Sequence, residues 1–198
     1  MVDFNVAKLR TDLAGNEDFQ KGEVWQAVVD LCYNEWQKPD NKDWRYSDLI
    51  SYARLVYGSF AKLLCLMGSY GGEVCNGGHD QYYCNGYASD KSGTHSDKTH
   101  CALTREMMRL MQEFRVDTLG EGPQIYAIMR DFVFEVGRHD PDDFSDREDD
   151  DEDDSELDKL DDRYYAINEA WEKTINKLIM DWLENGSNPI PEPVPVQA

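Results

Sequence analysis

The chain has 198 residues, of which 40 are Asp or Glu and only 20 are Lys or Arg, for a formal net charge of −20. Hydrophobic residues make up 40% and aromatic residues 12%, with 5 Trp, 11 Tyr and 7 Phe. That content is enough to bury a core in one domain and too high for a wholly disordered acidic chain. The sign of the charge argues against direct nucleic-acid binding, which calls for a basic patch, and against docking on an anionic membrane surface.

No uncharged apolar run approaches the roughly 18 residues of a membrane-spanning helix. Met1 to Arg10 lacks the apolar stretch of a signal peptide. Cys32, Cys65, Cys75, Cys84 and Cys101 form an odd, scattered set that reads as reduced thiols. A cytoplasmic location is therefore expected.

In chain order, residues 1–22 are mixed, punctuated by Gly15 and Gly22. Glu23 to Gln37 is expected to be helical, because Trp25, Val28, Val29, Cys32 and Trp36 recur at spacings of three and four. Pro39 ends it, and Lys38 to Trp44 reads as a polar turn. Ser47 is a candidate N-cap for a long helix reaching Met67, with Gly58 inside it and Gly68, Gly71 and Gly72 ending it. Asn76 to Asn85 reads as a glycine-containing turn, and Tyr87 to Ser96 as a loop. Thr99 can cap a helix with a core face of Ala102, Leu103, Met107, Leu110, Met111 and Phe114. Pro123 suits the first turn of the next helix, which buries Ile125, Ile128, Met129, Phe132 and Val136.

Leu157, Leu160, Tyr164, Ile167, Trp171, Ile175, Leu178 and Trp182 then follow one apolar stripe, predicting a helix of about 28 residues broken at most once, with Ser155 as its N-cap. The stripe serves core packing or pairing with a second copy. Pro189, Pro191, Pro193 and Pro195 mark an extended tail. No alternating strand pattern appears. The expected fold is all-α: a single compact multi-helix domain over residues 1–185, with an acidic inter-helix segment at 140–162 and a disordered Pro-rich tail at 186–198.

The acidic segment dominates the electrostatics. Residues 140–162 hold fifteen acids against Arg147 and Lys159, and so carry −13 of the total −20. Such a block is often a solvated inter-helix loop. It can also imitate DNA: the duplex carries about one charge per 1.7 Å of axis, and carboxylates three or four residues apart on a helix lie about 5–6 Å apart. The candidate partner-binding residues are Asp142, Asp143, Asp146, Glu148, Asp149, Asp150, Asp151, Glu152, Asp153, Asp154, Glu156, Asp158, Asp161 and Asp162. A calcium loop is a poor reading, since the run lacks the glycine an EF-hand needs at its sixth position.

Cys75, His79, Cys84, His95, His100 and Cys101 concentrate in one stretch. Their spacing matches neither a CxxC pair nor an HExxH helix, so no metal or cofactor is expected. Cys84 with His79 or His100 is a conceivable nucleophile pair, but no orienting partner or oxyanion loop accompanies it. No phosphate-binding or nucleophile-elbow motif appears either, and the chain is not expected to be an enzyme. A metal- or thiol-dependent enzyme centred on residues 75–101 is the rival of a different class. The blandest rival is an acidic helical domain whose charge serves solubility alone.

Asn76-Gly77-Gly78-His79-Asp80-Gln81-Tyr82-Tyr83-Cys84-Asn85 is the most unusual stretch. Its polar groups and paired glycines suit a corner joining two core helices, or a recognition pocket. Asn76, Gly77, Gly78, Gln81, Tyr82, Tyr83 and Asn85 resemble the Asn-Gly-Gly-aromatic-x-Gln-aromatic-aromatic-x-Asn core of a bacterial family that includes a DNA-mimic protein; His79 stands where that family more often has Phe. The segment 157–165 resembles the family's Leu-Asp-x-Leu-Asp-x-x-aromatic-Tyr run. The likeness spans residues 45–185, and the insertion from Tyr87 to Lys98 is longer than the family pattern. The resemblance implies an all-α, dimeric protein without established enzymatic activity, some of whose relatives mimic DNA toward DNA-binding proteins. The leading expectation is thus an acidic DNA-mimic inhibitor, bacterial or phage-borne, that binds a basic DNA-binding protein (a transcription regulator, nucleoid protein or defence nuclease) and competes with DNA. The alternative is an immunity or antitoxin-like protein neutralising a basic toxin nuclease.

Overall fold

The computed structural model describes residues 5–85, 87–88, 101–138 and 156–186. Among these the chain is all-α, with helices α1 (Val6–Leu13), α2 (Glu17–Lys21), α3 (Val24–Trp36), α4 (Tyr46–Tyr57), α5 (Ser59–Cys84), α6 (Ala102–Glu113), α7 (Gly122–Val136), α8 (Glu156–Tyr165) and α9 (Asn168–Asn185). Short 3-10 turns lie at Pro39–Asn41 and Val116–Thr118.

The mixed N-terminal stretch folds into two helices that sequence periodicity did not indicate. Each starts at an Asn whose side chain accepts backbone N–H groups: Asn5 from Lys8, and Asn16 from Asp18 and Phe19. Gly22 ends α2 in the left-handed conformation, φ +89°. These helices are too short to show a stripe, yet Leu9 and Leu13 are fully buried.

The long helix expected to run from Ser47 through Met67 is two helices. Asp48 accepts the N–H of Arg45, so the cap lies at Arg45 rather than Ser47. Gly58 then separates α4 from α5 at φ +98°, a backbone conformation that side chains disfavour. Conversely, Gly68, Gly71 and Gly72 do not end a helix. They lie inside α5, where Leu63, Leu64, Met67, Tyr70 and Val74 are buried around them and their packing outweighs the glycines' poor helix propensity.

α5 is the central post, packed by α3, α4, α6 and α8. α7 lies against α8 and α6, while α9 closes the far side on α3 and α1. Trp182 of α9 stacks on Phe60 of α5 with centroids 4.6 Å apart, and Phe60 meets Phe114 at 5.1 Å. The N-terminus of α3 has no local side-chain cap; the side chain of Asn176 on α9 accepts the Trp25 N–H at 2.7 Å instead. The break allowed for in the C-terminal stripe falls at Ala166–Ile167, between α8 and α9. The proposed caps Ser155 and Thr99, and the tail beyond 186, lie outside the described residues.

Candidate functional site

The glycine-containing stretch expected to be a turn forms the last two turns of α5, after a kink. At Gly78 the backbone takes φ +78°. A Cβ there would lie 2.2 Å from Asp161 Oδ2, so glycine admits the close approach of α8 as well as the backbone angle.

The approach serves one connection. His79 is fully buried. Its backbone N–H donates to Asp161 Oδ1 at 2.8 Å, and its ring Nδ1 is hydrogen-bonded to the same oxygen. Its Nε2 meets the Tyr70 hydroxyl at 2.7 Å. Tyr70 packs edge-on against Tyr82 and Tyr164, and the Tyr82 hydroxyl pairs with buried Thr104 of α6 at 3.1 Å. Burial pushes the Tyr70 and Tyr82 phenols above their ordinary range, so both remain hydroxyls. Toward the surface, Glu73 accepts from Gln81 at 3.0 Å and from Asn85 at 2.7 Å, and the Tyr165 hydroxyl donates to the Val74 carbonyl at 2.7 Å. Gly77, Gly78, Gln81, Tyr82, Tyr83 and Asn85 therefore build the corner that holds α8 on α5, with Asn76 exposed at its edge.

Among the described residues, His79 is not paired with a thiol. Both nitrogens of the His79 ring are engaged, by Asp161 and Tyr70, and neither is directed at Cys84. Burial raises the Cys84 thiol pKa and pushes that of Cys101 up to about 12. Cys65 is raised by its hydrogen bond with Cys32 and by burial. Cys75 and Cys84 are exposed, and His95 and His100 lie outside the described residues. Among the described residues no group of three or more His, Cys, Asp or Glu is placed to hold a metal ion.

Of the acidic candidates, Asp142, Asp143, Asp146, Glu148, Asp149, Asp150, Asp151, Glu152, Asp153 and Asp154 lie outside the described residues. The other four lie on α8. Leu157, Leu160 and Tyr164 bury one face, while Glu156, Asp158 and Asp162 are exposed on the other. Glu156 pairs with Lys159 at 2.8 Å. Asp161 differs from its neighbours: its carboxylate turns inward to His79, with its side chain only 16% exposed, whereas Asp158 and Asp162 point to the surface. Sequence reasoning placed it in the acidic surface because an Asp in an acidic run carries no mark of the histidine it meets.

An all-α body with an acid-bearing helix riveted to its central post defines an acidic helical protein. The chain belongs to the family described as DMP19-like protein, whose sequence profile matches residues 59–186. No curated protein and no solved structure matches it. The matched region contains the Asn-Gly-Gly corner and all of α8 and α9. It leaves α1 to α4 outside, although Leu9, Leu13, Val28 and Leu49 of those helices are part of the same core. No helix among the described residues is long and apolar enough to cross a membrane.

Proposed function

We propose that this protein is an acidic DNA mimic that occupies the DNA-binding surface of a basic protein, a transcription regulator, nucleoid protein or defence nuclease, and competes there with DNA. The observation that carries this reading is the position of α8. The segment with −13 of the net charge ends in a helix whose inner face is buried and whose outer face bears Glu156, Asp158 and Asp162. Asp158 and Asp162 stand one helical turn apart, about 5–6 Å between Cβ atoms, a spacing that suits lysines and arginines evolved to meet phosphates. Anchoring through Asp161 and Leu157 limits the ordering entropy this end of the segment loses on binding. Membership of the family supports the same reading.

In the proposed mechanism the carboxylates stand in for phosphates. Long-range attraction speeds the encounter, and DNA is displaced because both ligands need the same basic surface. The reading is tested by capturing a partner at low salt, releasing it at high salt, and measuring whether the protein displaces a DNA duplex from the purified partner. Replacing Glu148 and Glu152 by Gln, and Asp149, Asp150, Asp151, Asp153 and Asp154 by Asn, is expected to abolish displacement while leaving the unfolding midpoint unchanged. Displacement as strong as wild type by that variant overturns the proposal. Capture of a toxin nuclease would point to the immunity role.

A further inference from the structure

A cleft of about 240 Å3 opens between α3, α5 and the α8–α9 junction, away from the His79 corner. Gly68, Gly71 and Gly72 of α5 form its floor, Trp25 and Val29 of α3 one wall, and Tyr164 and Glu172 the other. The glycines recur at helical spacing; Val29 packs over Gly68 and Tyr164 over Gly71, which leaves the backbone of α5 open at Gly72. The feature that marks a binding site is Tyr164. The residue is 3% exposed, and its hydroxyl lies over Gly71, 2.6 Å from where a Cβ would stand. That hydroxyl opens on the cleft and has no hydrogen-bond partner among the described residues. The hydroxyl is reached from the cleft rather than sealed in the core, so water or a ligand atom there can pair with it. Burial keeps the phenol protonated.

The chemistry of the lining selects the ligand. Glu172 is the one charged residue in it, and has no ion pair among the described residues. No base lines the cleft, so an anion finds no cationic partner there. An aromatic wall favours an organic cation, and the cleft is smaller than the roughly 300–1,000 Å3 of sites that take drug-sized ligands. We propose that this cleft is a receptor for a single arginine side chain of the basic partner, with the guanidinium donating to Glu172 and to the Tyr164 oxygen and the alkyl stem lying over Gly72. The identity of the donor rests on the DNA-mimic reading; the preference for an alkylguanidinium does not.

The test uses the full-length protein and two probes, acetyl-arginine-N-methylamide and its neutral isostere acetyl-citrulline-N-methylamide. Binding is followed by the amide resonances of Gly68, Gly71 and Gly72. The arginine probe is expected to shift them saturably and to bind about tenfold more tightly than the citrulline probe, the worth of one charged hydrogen bond. Glu172→Gln and Tyr164→Phe are each expected to weaken it by a similar factor. The latter removes only a hydroxyl without an internal partner, so its urea midpoint should match wild type. No saturable shift, or equal binding of the two probes, overturns the site whether or not the protein displaces DNA. If the arginine probe binds but Glu172→Gln leaves capture of the partner unchanged, the partner is overturned as the source of the cation.

Discussion

A single carboxylate oxygen of Asp161 on α8 receives both the backbone N–H and the ring Nδ1 of His79 on α5, 82 residues earlier in the chain. The contact is buried on the histidine side and continues through Nε2 to Tyr70. It turns the end of an acid-rich segment into part of the core. Asp161→Ala leaves the His79 donors unmatched, and His79→Ala leaves the carboxylate with the backbone N–H of residue 79 but without its ring donor. Each is expected to cost about 2–3 kcal/mol, as losing one partner of a buried hydrogen bond to a charged group does. Urea unfolding of both single variants and the double variant measures the coupling, expected at roughly 1–3 kcal/mol. Additive losses would mean the two residues act independently.

Gly78 and Gly72 lie six residues apart in α5 and should respond to alanine with opposite sign. At Gly78 the added Cβ meets φ +78° and the Asp161 carboxylate, so Gly78→Ala is expected to destabilise by at least about 2 kcal/mol. Gly72 has nothing within 4 Å of a Cβ, and Gly72→Ala should stabilise by roughly 0.5–1 kcal/mol through helix propensity. Thermal or urea midpoints of the two variants decide the matter.

Glu106 of α6 gives the fold an acid-sensitive contact. Hydrogen bonds from Arg109 first, then from Lys62 of α5, pull its carboxyl down to about 2 despite opposing desolvation. A carboxyl depressed on folding adds stability that is present above its unfolded pKa near 4.5 and lost as pH falls through its folded value of about 2. The group is partly exposed, so its full contribution is taken as about 1 kcal/mol after solvent screening. Glu106→Gln is expected to lower stability by that amount at neutral pH, and the gap from wild type should close between pH 4.5 and 2. A gap that persists at the acid end would assign the loss to packing.

The N-terminal helices lie before the family-matched region, yet they are predicted to be indispensable. Leu13 is fully buried, and Tyr57 of α4 donates to Asp12 of α1 at 2.7 Å. Leu13→Ala is expected to cost about 2–5 kcal/mol, in line with other large-to-small core changes. A loss below about 0.5 kcal/mol, the usual size of a surface change, would mean that α1 is a loose appendage.

The helical class was legible from spacing alone where one face is buried along the whole element. Trp25, Val28 and Cys32 announced α3, and Ile125, Met129 and Phe132 announced α7. Glycines were harder. Gly58 reads as interior to a long helix and is a break, whereas Gly68, Gly71 and Gly72 read as its end and are interior. Local propensity at a glycine is worth about 1 kcal/mol, and burial of neighbours such as Leu66, Met67 and Tyr70 exceeds it. The strip Gly68, Gly71, Gly72 and Cys75, at helical spacing, was the available signal for the cleft.

The amino-acid sequence by itself determined the all-α class, the concentration of negative charge before α8, and the Asn-Gly-Gly core that marks the family. Those properties are carried by local spacing and composition. Only the tertiary structure decided that Asp161 belongs to the interior while Asp158 and Asp162 belong to the surface. It also decided that the Tyr164 hydroxyl lies over a glycine floor, and that Asn176 caps a helix 151 residues away. Each depends on which helix lies opposite, and a side chain's partner across the core leaves no periodic trace in its own segment.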